Sequence, residues 1–168
     1  GTGNTTSAEQ NVAVGINALE DIISGNHNIA IGSSAAAGIT TANSTVFIGG
    51  NAGQAVTVTT GGVSDGTVGI GKSALAALTS GAGNLAIGLG ALATTNTGAR
   101  NIGIGYYAMT HSDTANDNIA IGYGAMYDTN SGGDAQDSDH NIAIGSLAMS
   151  GIWANAKSEY NIGIGSNV

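Results

Sequence analysis

The chain has 168 residues, and its 11 acidic and 3 basic residues give it a net charge of −8. This charge makes nucleic acid a poor partner, because neutralising phosphates requires many Lys and Arg side chains. The sequence contains no Cys, which excludes disulfides, thiolate chemistry and Cys-ligated zinc. No apolar run approaches the roughly 18 residues of a membrane-spanning helix, so we expect no membrane insertion by this segment.

A five-residue motif recurs along the chain and organises it. Its form is Asn-Ile-Ala-Ile-Gly, with small changes, and nine copies begin at positions 11, 28, 45, 67, 84, 101, 118, 141 and 161. Most copies are 17 residues apart, and we number the positions of each repeat from one at the start of the motif. A fixed period of this kind indicates a repeat architecture. The residues expected to define the repeat are Asn11, Gly15, Asn28, Gly32, Asn84, Gly88, Asn101, Gly105, Asn118, Ile119, Ile121, Gly122, Asn141, Gly145, Asn161 and Gly165.

Three insertions interrupt the period. They lie near residues 54–66, 128–140 and 150–160, and the same motif returns after each of them. We therefore expect the insertions to project as loops from a regular core, and connecting loops are where recognition residues concentrate. The whole chain, residues 1–168, is predicted to be a single repeat domain.

The alternation within the motif predicts a short β-strand. Positions two and four share one face of a strand, and position three takes the other face. All eighteen residues at positions two and four are Val, Ile or Leu, whereas position three is Ala or Gly in eight of nine copies. The β-branched residues favour a strand, and the Gly at position five would cost a helix about 1 kcal/mol in every repeat.

These features predict an all-β fold, a parallel β-solenoid of about nine 17-residue coils with two short strands in each coil. Like residues would stack in columns, and the Asn at position one would form an amide ladder along one corner. Gly at position five would permit a positive φ and a close approach of the next coil. Two locations remain open for the aliphatic columns at positions two and four: the interior of the roll, or an interface between chains.

The extended motif N-[IVL]-[AG]-[IV]-G-x-x-A-[LM], repeated from Asn11 to Gly165, resembles the head repeats of trimeric autotransporter (YadA-like) adhesins and similar repeats of phage tail-fibre proteins. The resemblance implies a left-handed parallel β-roll and a homotrimer around a common axis. It also implies an extracellular location, on a bacterial cell surface or a phage virion, and a role in cell adhesion.

Three residues near the end of the chain are candidates for surface recognition. Trp153 lies in the third insertion, and Lys157 and Tyr160 follow it closely. Large amphipathic side chains concentrate at binding surfaces, so we expect recognition to involve this segment together with residues 128–140. The alternative is that Trp153 folds back over the end of a coil.

A second group of aromatic residues falls on adjacent coils. Tyr106, Tyr107, Tyr123 and Tyr127 are spaced so that they should form a stripe, with Tyr123 and Tyr127 as further recognition candidates. Packing of the rings on one another is the first interpretation of such a stripe. Docking of sugar rings on the exposed aromatic faces is the second.

The second insertion contains a weak candidate for a calcium site. Asp134, Asp137 and Asp139 lie close together, but their spacing fits neither an EF-hand nor a calcium-binding roll repeat. A solvated acidic loop is the preferred interpretation, so we expect no metal and no cofactor. No nucleophile, base and orienting group recur together, so the sequence does not predict an enzyme.

The sequence therefore predicts a non-enzymatic extracellular module that mediates attachment, with a host surface protein or glycan as its partner. The alternative is a purely structural, self-assembling filament subunit. The eight residues from Asn161 onward and the ten that precede Asn11 together make 18, close to one period. This sum predicts that the coils continue past both ends, either into neighbouring segments of a longer covalent fibre or, by head-to-tail stacking, into separate subunits. An ice-binding solenoid is disfavoured, because no repeat position is consistently occupied by Thr.

Overall fold

The computed structural model describes residues 8–56, 65–127, 138–151 and 158–168. Within these ranges the chain forms nine three-residue β-strands and no helix, and therefore no helix that could span a membrane. The strands are β1 (Val12–Val14), β2 (Ile29–Ile31), β3 (Val46–Ile48), β4 (Val68–Ile70), β5 (Leu85–Ile87), β6 (Ile102–Ile104), β7 (Ile119–Ile121), β8 (Ile142–Ile144) and β9 (Ile162–Ile164).

The strands form one parallel sheet in chain order, from β1 to β9. Equivalent repeat positions lie opposite one another, as Ile119 does to Ile142. The register continues from β3 to β4, from β7 to β8 and from β8 to β9, the three places where the sequence carries insertions. The chain is therefore a β-solenoid of about eight turns, and the prediction that each insertion leaves the register intact is confirmed.

The interior of the roll is lined by small residues from one side and larger ones from the other. Ala120 lies at the centre of β7, at position three of its repeat, and is completely buried, as are most of its equivalents. Opposite this position lie the Leu and Met side chains of position nine: a Cβ added to Gly103 would lie only 3.0 Å from Cγ of Leu92. Phe47 is the one large residue at position three, and its ring occupies the space that Gly53 and Gly69 leave open. The interior of the roll is therefore narrow.

The aliphatic columns at positions two and four lie on the outer face of the sheet. None of the eighteen side chains is buried within the single chain. In the middle of the sheet each is covered by its neighbours above and below, yet Ile31 and Ile87 keep 38% and 37% of their surface exposed. Of the two locations left open by the sequence, the interior of the roll is therefore excluded.

Where the structure describes the second half of a coil, this half forms turns and no strand, so the prediction of two strands per coil is wrong. Residues at positions seven and nine adopt left-handed backbone conformations, among them Leu75 (φ 54°) and Leu92 (φ 53°). Such a conformation costs a non-glycine residue roughly 1–2 kcal/mol. It persists because the leucine side chains are buried and backbone bonds still join neighbouring coils, as when the Leu75 N–H donates to the Ala91 carbonyl at 3.0 Å.

The glycine at position five makes the corner after each strand. All nine have φ between 130° and 138°, a region that side chains rarely enter. The next coil is also in the way, because a Cβ on Gly122 would lie 2.3 Å from the carbonyl oxygen of Gly145. Both reasons given by the sequence for this glycine are confirmed.

The asparagines at position one form the predicted ladder. The Asn118 carbonyl Oδ1 accepts a hydrogen bond from the backbone N–H of Asn141 at 2.8 Å, and its Nδ2 donates to the Ser138 carbonyl at 2.8 Å. Each buried amide thus joins its own coil to the next at two backbone points, which accounts for the recurrence of Asn at a buried position.

A second ladder, which the sequence analysis missed, runs two residues before the motif. The Asn43 N–H donates to Asp65 Oδ1 at 2.7 Å, and the Asn116 N–H donates to Asp139 Oδ1 at 2.6 Å. These bonds run in the opposite direction to those of the first ladder, from each coil to the acceptor on the next. The signal was present, because Asn or Asp occupies this position before several motifs.

Candidate recognition surface

Four tyrosines, Tyr106, Tyr107, Tyr123 and Tyr127, form one cluster on the coils of β6 and β7, and we call it the tyrosine cluster. Tyr106 and Tyr123 occupy the same repeat position, so their rings stack with centroids 5.6 Å apart and planes 11° apart. Tyr107 packs edge-on against Tyr106 at 4.3 Å and lies 6.2 Å from Tyr127. The predicted aromatic stripe is therefore confirmed as an arrangement of side chains.

The rings of the cluster leave much of their surface in contact with solvent. Tyr106 is 46% exposed, Tyr123 57% and Tyr127 38%. A hydrogen bond with Tyr107 raises the pKa of Tyr106 above its ordinary value of 10.0. The phenol is therefore neutral at physiological pH, and the cluster presents both flat apolar faces and hydroxyl groups.

Two clefts of about 320 Å³ each lie on either side of Tyr107. Gly124 forms part of the first and Gly90 part of the second, and both occupy position seven of their repeats. A Cβ on Gly90 would lie 2.3 Å from the Tyr107 ring, so this glycine leaves room for the ring against the neighbouring coil. Tyr106 and Tyr107 line both clefts, and we call the combined feature the tyrosine groove. Its far end, in the second cleft, is lined by Lys72.

The other recognition candidates are placed differently. Trp153 and Lys157 lie outside the described residues, so their role stays a prediction. Tyr160 is 72% exposed and stacks on His140 with ring centroids 4.9 Å apart. Both residues occupy the last position of a repeat, next to the Asn ladder, and among the described rings none links Tyr160 to the tyrosine cluster.

The calcium candidates are only partly described. Asp134 and Asp137 lie outside the described residues. Asp139 is described, and its carboxylate accepts the backbone N–H of Asn116, which makes it a member of the second ladder. Among the residues that the structure describes, no group of three or more His, Cys, Asp or Glu side chains could hold a metal ion.

One ion pair lies along the corner that precedes the motif. Arg100 donates two hydrogen bonds of 2.7 Å to the carboxylate of Asp117, and His140 Nε2 lies 3.8 Å from the same carboxylate. The bonds from Arg100 lower the pKa of Asp117 and raise that of Arg100. The Arg100 side chain is 63% exposed, so the pair joins two coils at the surface and contributes little to stability.

The resemblance of the motif to adhesin and tail-fibre repeats depends on the motif residues alone, since no family model, curated protein or solved structure matches the chain.

Proposed function

We propose that the protein is a non-enzymatic extracellular attachment module, a left-handed β-roll whose chains associate as a homotrimer through their aliphatic faces. The observation on which the proposal depends is the outer face of the sheet. It presents two uninterrupted columns of Val, Ile and Leu over nine strands, a length of about 38 Å at 4.8 Å per strand. Monomeric soluble proteins rarely leave so continuous an apolar face in water.

The apolar surface is large enough to drive association. Full burial of such a side chain is worth about 1.5–3 kcal/mol, so the exposed third is worth about 0.5–1 kcal/mol. Over the nine such side chains that keep more than a third of their surface exposed, the gross gain is about 5–9 kcal/mol per chain, within the roughly 4–15 kcal/mol that association costs, and the partly covered side chains add to it. Closed symmetry covers such a face on every chain at once, and the resemblance to trimeric adhesin heads supports three chains.

The rest of the chain suits a role in attachment. Inter-coil hydrogen bonds join the strands, the corners and the second half of each coil, so the roll is a stiff support for exposed side chains and loops. The insertions and the tyrosine groove are the places where the regular repeat is varied. Variation on a rigid repeat scaffold is typical of binding proteins.

The oligomeric state tests the proposed assembly. Sedimentation equilibrium of the purified chain should give three times the mass of the 16.2 kDa chain. A folded, monodisperse monomer would refute the proposal, and long uniform fibres would favour the structural filament instead.

A matched pair of variants shows whether the aliphatic face mediates the association. Ile121→Asp places a charge in the middle of the face and should destabilise the assembly by several kcal/mol, because each chain would bury an unpaired carboxylate. The chain itself should stay folded, since Ile121 lies on the outer surface. Ile121→Val keeps the face apolar and should leave the mass unchanged. If Ile121→Asp remains fully trimeric, another surface holds the chains together.

Attachment itself is tested by adhesion of protein-coated beads to cell monolayers. Shortening the segments 128–140 and 150–160 to the 17-residue period should reduce adhesion and leave the thermal melt unchanged. Undiminished adhesion would place the binding site on the regular coils. If unaltered protein gives no adhesion to any cell type, the structural filament is the better account.

A further inference from the structure

We infer that the tyrosine groove is a binding site for a linear oligosaccharide. This inference rests on the proposed role in attachment and names the class of ligand. The face of a pyranose ring carries C–H groups that pack on aromatic rings, and its edge carries hydroxyls that exchange hydrogen bonds with phenols. Tyrosine suits such a ligand because it offers a large amphipathic contact area at a low cost in conformational entropy.

The groove is formed before any ligand arrives. Tyr107 is held edge-on by Tyr106 and lies against Gly90, and the Leu147 side chain packs over Gly124, where a Cβ would lie 2.8 Å from it. Tyr106 and Tyr123 hold each other in parallel. If the cluster only stabilised the roll, the rings would bury most of their surface against one another. Tyr106 and Tyr123 instead keep about half of their surface exposed. A preformed, exposed site loses little entropy on binding.

The dimensions of the groove favour a chain of sugars over a single ring. Gly90 and Gly124 occupy the same repeat position two coils apart, so the two clefts are separated by about 9.6 Å, twice the distance between neighbouring strands. A ligand that fills both clefts must pass over Tyr107, which lines each of them. A linear oligosaccharide can place successive rings in this way.

A peptide strand fits the groove less well. Peptides that add to a sheet need free backbone groups, but the backbone along the groove is already bonded between coils. The Gly90 N–H donates to the Lys72 carbonyl at 3.0 Å, and the Gly124 N–H donates to the Tyr106 carbonyl at 3.0 Å. Recognition must therefore come from the side chains, that is, from aromatic faces, hydroxyls and one cation.

Charge narrows the class of oligosaccharide further. A net charge of −8 repels a heavily sulfated or otherwise polyanionic chain. Lys72 lines the far end of the groove, and among the described residues no acidic side chain lies within ion-pair distance of it. The groove thus favours neutral sugar rings over the tyrosines and a single carboxylate, such as that of a terminal uronate, beside Lys72.

The test uses the purified full chain and a printed panel of linear tetrasaccharides of glucose, galactose, mannose and N-acetylglucosamine, each with and without one terminal uronate. At least one member should bind, and calorimetric titration with that member then gives the affinity. Tyr123→Ser should weaken binding at least tenfold. Ile16→Ser is the matched control, because Ile16 is exposed at the same repeat position as Tyr123 but lies outside the cluster, and it should bind as the unaltered chain does. Lys72→Gln should weaken binding of the uronate-bearing member and leave the neutral one unchanged.

Three results would overturn the inference. They are the absence of binding to every member of the panel, unchanged affinity in Tyr123→Ser, and a change of mass in Tyr123→Ser, which would show that a second copy of the chain covers the groove. If the chain is a trimer but binds no sugar, only the inference about the groove is wrong. If the chain is a folded monomer that binds sugar through the groove, only the proposed trimeric assembly is wrong.

Discussion

Replacing Gly122 with Ala tests how tightly the coils approach one another. Gly122 has φ of 137°, and a Cβ at this residue would lie 2.3 Å from the carbonyl oxygen of Gly145 and 2.6 Å from its carbonyl carbon. Real Cβ atoms essentially never come within 3.0 Å of another heavy atom, so the two coils must move apart locally. The atoms that the new Cβ would meet belong to the backbone and not to a flexible side chain, so the movement disturbs the sheet itself.

The cost has two parts. An alanine in this backbone region costs about 1–3 kcal/mol. Separating the coils stretches the bond from the Gly145 N–H to the Ile121 carbonyl and that from the Leu147 N–H to the Tyr123 carbonyl, both 2.8 Å long. Each such bond is worth about 0.5–1.5 kcal/mol. The expected loss is about 4 kcal/mol, which lowers the Tm of a chain of this size by about 8–16 °C.

A substitution at a second glycine distinguishes the conformational cost from the cost of separating the coils. Gly151 has almost the same backbone angle, φ 136°, but a Cβ there would meet nothing within 4 Å among the described residues. Gly151→Ala should therefore show the conformational cost alone. Thermal unfolding followed by circular dichroism measures both variants, and amide exchange at Gly145 reports the local separation of the coils. Equal destabilisation by the two substitutions would refute the close approach of the next coil as a reason for the glycine at position five.

Two further predictions concern side-chain bonds between coils. Asn118→Ala should lower the free energy of unfolding by about 2–4 kcal/mol, because the backbone N–H of Asn141 and a neighbouring carbonyl lose their buried partner; the exposed Asn96→Ala is the control, and comparable melts for the two would argue against the ladder. Arg100 lowers the pKa of Asp117, so the stabilisation is present above the ordinary carboxyl value of 3.8 and is lost as the pH falls below it. Melts of Asp117→Asn should therefore depend less on acid than those of the unaltered chain, and identical pH profiles would contradict the pairing.

The repeat itself could be read from the sequence because its determinants are local and recur at the same position. A 17-residue spacing places Asn101 above Asn84 and below Asn118, and the short alternation predicts the strand that follows each of them. The corner glycine was also predictable, since φ near 135° excludes almost every other residue. Tyr106 and Tyr123 were expected to pack on each other because they too occupy the same position in adjacent repeats.

The conformation of the second half of each coil could not be predicted in this way. Leucine and methionine have no preference for a left-handed backbone, yet Leu92 and Met109 adopt one in a described part of the chain where the sequence suggested a strand. Local propensity is outweighed there by burial of the side chains and by bonds to the adjacent coils. The approach of Tyr107 to Tyr127 depends on the same turns, and so does the shape of the groove.

The sequence by itself determined the period, the strand, the glycine corner and the asparagine ladder, whereas only the tertiary structure decided which face of the strand is the inside. Both faces of the motif are apolar, so alternation alone could not distinguish them. The space between the sheet and the returning half of the coil is filled by position-nine side chains such as Leu92, which leaves room for only Ala or Gly at position three, except where Gly53 at position nine makes room for Phe47. The larger Ile side chains must therefore point outward, and this geometric constraint creates the apolar face on which the proposed assembly depends.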